Sequence, residues 1–309
     1  MSTSVDVVFS EINTAINRSV EGEFPLHDWL KKPRFQINGD GASLSLTPHE
    51  PITLAASFAF DTTRLLLAGR ETLLAVQKSR ESGNIHAAWS AIQLYYAAYY
   101  YVSALFRMIG LANAYLQVQE LVAIRNLLNA QGISQLPGTG LYDLEVNPST
   151  TQLVMKKSNL GATHEALWKG LRLYIDDLKG RMFEYEQFSA EELASASTEL
   201  DAVAKATEGL GSQSNLSAAR NDVQYRQKMS CWYPNSRKVR IFHRTDRITQ
   251  ILEKEFVASD TGSEVEYNAF FEKSLTVCGF VHHFALRVSE ASPARSPSGR
   301  YLKYHTSLV

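Results

Sequence analysis

Residues 89–106 read WSAIQLYYAAYYYVSALF, eighteen consecutive positions without a charged side chain. A run of that length is close to what a membrane span needs. Its five tyrosines, Tyr95, Tyr96, Tyr99, Tyr100 and Tyr101, fall in the middle. A bilayer would strand their hydroxyls there, since interfacial aromatic belts sit at the two ends of a span. The run therefore predicts a helix buried on most sides within a protein core and stopped at Gly110. A chain built around such a segment is expected to be mainly α-helical.

Working outward, Leu54, Phe58, Leu65, Leu66, Leu73 and Val76 recur at roughly helical spacing over residues 52–81, and Gly83-Asn84 closes that helix. A further helix is expected from about Ala114 to Ala130, before a Gly/Pro-rich break at 132–140. Helices resume at Thr163, continue through the acidic stretch Ala190–Thr207, and restart after Gly209 to run to about Met229. Ile248–Val257 and Asn268–Val288 also read as helical, whereas residues 289–300 are rich in Ser and Pro.

Two short pairs of segments read as β-hairpins inserted among these helices. Arg34–Ile37 and Ala42–Leu46 flank Asn38-Gly39-Asp40-Gly41, and Leu141–Val146 and Gln152–Lys156 flank Asn147-Pro148-Ser149-Thr150. The pattern divides into a mixed lead-in with a hairpin (1–50), a central helical bundle (51–230) and an appendage, basic and then helical, packed on the bundle (231–309).

Composition narrows the function classes. The formal net charge of −1 over 309 residues advertises neither a nucleic-acid nor a membrane partner for the chain as a whole. Cys231 and Cys278 are the two cysteines, with no CxxC, so neither a disulfide framework nor a zinc site is expected. The first residues carry acids and polar groups where a secretion signal needs an apolar run, and a cytoplasmic location is the expectation. Phosphate-loop, GxGxxG, GxSxG and HExxH signatures are absent, and no cofactor is expected.

His27-Asp28 resembles half of a phosphohydrolase metal pair without its companions. His282 and His283 are adjacent and would face different directions on a helix, and His164 stands at a helix start. None of these predicts a metal site.

Charge is segregated along the chain. Residues 220–247 hold eight Lys/Arg against two Asp, while residues 184–208 hold seven acids against one lysine. Arg226, Lys228, Arg237, Lys238, Arg240 and Arg244 are candidate RNA phosphate contacts, with Trp232, Tyr233 and Phe242 interleaved for base stacking. A solvated surface paired with the acidic helix is the competing reading.

Three segments carry a family likeness: Ser90–Gly110 (SAIQLYYAAYYYVSALFRMIG), Thr163–Leu171 (THEALWKGL) and Ser217–Arg226 (SAARNDVQYR). In that order and spacing they resemble the HEPN superfamily over roughly residues 51–230. The resemblance implies a HEPN-like helical bundle, a homodimer with two motif helices in one cleft, and metal-independent endoribonuclease activity in toxin–antitoxin or antiviral defence systems. It casts Arg220 as the phosphate clamp and Asn221 as the polar residue of the catalytic motif, and it puts Tyr225 where the family has histidine. An unperturbed tyrosine has a pKa near 10, which makes it a poor base at neutral pH. Ribonuclease activity is thus one expectation, and a non-catalytic scaffold or partner subunit of a defence or toxin–antitoxin complex is the other. On the second view Arg220 and Tyr225 order a helix contact.

Overall fold

The computed structural model describes residues 3–19, 24–39, 43–81, 86–147, 151–210, 215–229, 231–232, 246–253 and 266–290. They are mostly helical, with one five-stranded antiparallel sheet. Contacts divide the chain into two units that interleave along the sequence: Met1–Ser10, Leu65–Val102 and Leu167–Arg287 form one, and Glu11–Arg64, Ser103–Ala166 and Val288–Val309 the other.

The second unit carries the sheet. Its strands are β1 (Phe35–Gly39), β2 (Ser43–Pro48), β3 (Leu111–Leu116), β4 (Gly140–Val146) and β5 (Leu153–Lys157), in the order β1-β2-β5-β4-β3. The two expected hairpins are present, but they are not separate insertions. β2 pairs with β5 from Ser43↔Lys156 to Leu46↔Leu153, and this pairing joins them into one sheet. Gly39 ends β1 opposite Leu44 at φ +111°, where an added Cβ would meet the Ser43 carbonyl oxygen at 2.3 Å; the rest of the expected Asn38–Gly41 turn lies outside the described residues.

β3 corrects the expected helix from Ala114. Residues 111–116 alternate, with Ala112, Ala114 and Leu116 buried, and this period of two suits a strand. The helix α6 (Val118–Ala130) begins only afterwards, where the Gln117 N–H donates to Glu120 Oε2 at 2.9 Å. Gly110 takes φ +87° between α5 (Ala87–Met108) and β3, the stop expected there.

The inward residues of all five strands join Trp29 and Leu30 of α3 (Leu26–Leu30), Leu121, Ile124 and Leu128 of α6, and Leu54 and Phe58 of α4 (Pro51–Glu81) in one apolar core. Each large side chain buried this way contributes about 1.5–3 kcal/mol. Asp61 and Arg107, both buried, meet at 3.4 Å across α4 and the end of α5 (Ala87–Met108).

Among the described residues the first unit is all-helical. It contains α1 (Thr3–Phe9), residues 65–81 of α4, residues 87–102 of α5, most of α7 (Thr163–Arg181), α8 (Ala190–Thr207), α9 (Leu216–Gln224), α10 (Asp246–Glu253) and most of α11 (Glu266–Glu290). Tyr95 and Tyr101 of the long uncharged run are fully buried here, whereas Tyr96, Tyr99 and Tyr100 are partly exposed. Among the described residues no helix is long and apolar enough to cross a membrane.

α11 lies in the region expected as an appendage, but it is part of this unit's core. Tyr267, Phe270, Phe271, Leu275 and Phe280 are buried, Phe270 stacks on Tyr95 at 6.2 Å, and the Tyr267 hydroxyl donates to the Ala87 carbonyl at 3.0 Å. The division at residues 50 and 230 therefore does not follow the contacts. α9 is also shorter than expected: it ends at Gln224, and Gln227 and Met229 take positive φ beyond it.

Candidate nucleic-acid interface

α9 positions the motif residues. Asn215 caps it, its side-chain oxygen accepting from the Ser217 and Ala218 N–H groups at 3.0 and 3.2 Å. Leu216, Ala219, Arg220 and Val223 recur at helical spacing and are buried. Arg220 consequently sits on the apolar stripe of its helix, and its side chain is drawn inward.

The Arg220 guanidinium carbon lies 5.4, 5.8 and 5.7 Å from the ring centroids of Tyr95, Tyr96 and Tyr225. Its Nη1 donates to Gln224 Oε1 at 3.0 Å and, at 3.5 Å, to the Tyr225 hydroxyl. Among the described residues the buried Nε has no hydrogen-bond partner and no carboxylate pairs with Arg220. A buried cation of this kind is held by the negative faces of aromatic rings. Tyr95 accepts from Trp168 Nε1 at 3.1 Å, and burial pushes its hydroxyl well above the usual tyrosine range, so it stays a neutral phenol.

Tyr225, at the end of α9, is 68% exposed. Its N–H donates to the Asn221 carbonyl at 2.9 Å, and Asn221 itself is partly exposed. Arg226 and Lys228 follow with exposed side chains, and both converge on Asp222, at 2.8 and 3.2 Å. Burial raises the Asp222 carboxyl, but the hydrogen bonds from these two cations outweigh it and hold the group below the usual carboxylate range.

The same face carries aromatics beyond the motif. Trp89 is 53% exposed and meets the Trp232 ring edge-on at 5.8 Å. Trp232 is fixed by its Nε1, which donates to the Val223 carbonyl at 2.6 Å. Trp89, Tyr96 and Tyr100 are spaced seven and four residues apart, so they share one side of α5. By sequence alone these rings belong to a helix buried on most sides. The signal for an exposed stripe was that spacing, read against the fully buried set at Ala91, Tyr95 and Ala98.

The structure thus brings together Arg220, Asn221, Tyr225, Arg226 and Lys228. Arg237, Lys238, Arg240 and Arg244, with Tyr233 and Phe242, lie outside the described residues. Of the histidines, His27 faces Glu120 at 3.9 Å, with burial lowering its pKa, and His282 is buried against the Tyr101 and His283 rings. Among the described residues no three His, Cys, Asp or Glu side chains converge on one point. No family model, curated protein or solved structure matches this chain.

Proposed function

We propose that this chain is a HEPN-like RNA-binding protein of a toxin or antiphage-defence system, which acts as a homodimer and holds single-stranded RNA on the α5–α9 face without cutting it. One observation carries the reading: Tyr225 stands largely exposed, braced from below by the buried Arg220 and flanked by the exposed cations Arg226 and Lys228. An exposed ring offers every base a face to stack on, worth about 1–3 kcal/mol per base, while adjacent cations neutralise phosphates. Trp89 and the tyrosines of α5 extend the platform.

Binding is favoured over cleavage by what surrounds Arg220. Attack of a ribose 2′-hydroxyl needs a group that exchanges protons near neutral pH. Arg220 touches three tyrosines and a glutamine, and among the described residues no histidine reaches it. Its guanidinium is buried among the rings it braces, which leaves little of it exposed to clamp a phosphate.

The test is incubation of purified protein with labelled single-stranded RNA in EDTA, following retention and cleavage together. Retention of intact RNA that weakens steeply with salt is the expected result. Cleavage that disappears with Arg220→Ala would instead establish a metal-independent nuclease. Failure to retain RNA, with a partner protein co-purifying, would leave the scaffold reading.

A further inference from the structure

The sheet-bearing unit holds a second feature that the RNA face does not use. α2 (Thr14–Arg18), the first turns of α4 and the β4–β5 end surround a cleft of about 290 Å³. Small-molecule sites run from roughly 300 to 1,000 Å³, so this one suits a small ligand. Ile16, Leu54, Ala55 and Val146 line it, and Ile52, 60% exposed, lies at its lip. Concave hydrocarbon open to water gains free energy when an apolar group covers it.

The polar groups of the cleft are unequal. The Asn13 side-chain oxygen accepts from the Ile16 N–H, and the Ser19 hydroxyl donates to the Ala15 and Ile16 carbonyls, so both are engaged by α2. Arg18 is exposed, and among the described residues its guanidinium makes no ion pair or hydrogen bond. The cleft also adjoins the start of the 31-residue helix α4, the positive end of its dipole. Glu50, the acid nearest that start in sequence, lines a separate depression with Pro33, Arg34 and His49.

From the apolar walls and the exposed positive charge at the rim, we infer that this cleft binds a small amphiphile, an aliphatic carboxylate whose chain fills the pocket and whose head pairs with Arg18. The size of the cavity points to a short or medium chain rather than a long lipid.

Octanoate, octan-1-ol and octylammonium are the probes, titrated calorimetrically into the full-length protein. Octanoate is expected to bind saturably at one site and more tightly than octylammonium. Arg18→Glu turns attraction into repulsion, and should weaken octanoate by about tenfold while leaving octan-1-ol within about twofold. Ile52→Glu, at an exposed position that the fold tolerates, should abolish octanoate binding. Absence of saturable octanoate binding, equal affinity for octylammonium, or an unchanged octanoate affinity in Arg18→Glu would each overturn the assignment.

Discussion

Arg220 shows how one residue type serves opposite roles according to which face of a helix it occupies. On an exposed face its planar fork would take a phosphate. On the stripe of Leu216, Ala219 and Val223 it is buried among tyrosine rings. Arg220→Ala should cost about 2 kcal/mol of stability, from lost cation–π contacts and a cavity, in urea unfolding. Arg220→Lys should not restore it, because a compact ammonium cannot lie flat against three rings. Asp222 offers a test with a sign. Its carboxyl is held low in the folded state, so its stabilisation is present above the unfolded value near 4 and disappears as pH falls through the lower folded value. Asp222→Asn is therefore expected to be about 1 kcal/mol less stable at pH 7 and to match the wild type in strong acid. The same substitution releases Arg226 and Lys228, and RNA affinity should rise at low salt. The sequence makes Arg220, Asn221 and Tyr225 visible as a motif. Whether the arginine faces in or out turned on which apolar stripe α9 presents, and that depends on the packing of α5.

At the scale of elements, α4 and α5 approach closely because residue 69 has no side chain. A Cβ there would meet the Tyr101 ring at 3.0–3.1 Å, and Tyr101 is fully buried. Two effects compete in Gly69→Ala. Helix propensity favours alanine by about 1 kcal/mol, whereas overpacking a rigid core costs about 1–3 kcal/mol. Overpacking should win, lowering the melting temperature by several degrees. Lys273 joins α11 to the end of α8, its ammonium donating to the Lys205 and Glu208 carbonyls at 2.8 and 3.2 Å. Lys273→Met should destabilise by about 1–2 kcal/mol, since two C-terminal carbonyls of a helix lose their donor. Most elements were legible from periodicity and punctuation: α8 runs over the expected Ala190–Thr207, and the strands of both expected hairpins pair antiparallel. β3 was not, because Leu111–Leu116 contains three small or polar residues among its six and follows directly on a long helix. Its alternation becomes meaningful only beside β4, with which it pairs from Leu111↔Glu145 to Leu116↔Gly140.

At the scale of the whole molecule, the chain enters each unit more than once, and this is why sequence order misled the domain division. Residues 65–102 and 167–287 come together in one unit although the strands β3, β4 and β5 lie between them in sequence. Periodicity reports which face of a helix is buried, but not which distant segment covers it. The aromatic side of α5 at Tyr95 is covered by Trp168 of α7 and Phe270 of α11, 73 and 175 positions further on. A chain ending at Met229 is accordingly expected to lose cooperative thermal unfolding by circular dichroism, because it lacks α11. Cooperative unfolding of that shortened chain would restore the appendage reading.

The face built by α5 and α9 is tested most directly by fluorescence anisotropy of a short labelled single-stranded RNA, titrated with wild type and Tyr225→Ala at low salt. Tyr225 is largely exposed, so its removal takes away the stacking ring while Arg220 keeps its contacts to Tyr95, Tyr96 and Gln224. Saturable wild-type binding that weakens by about 5- to 150-fold in Tyr225→Ala, the equivalent of one lost stacking contact, is the predicted result. No saturable binding by wild type, or equal affinity in the two proteins, would contradict it.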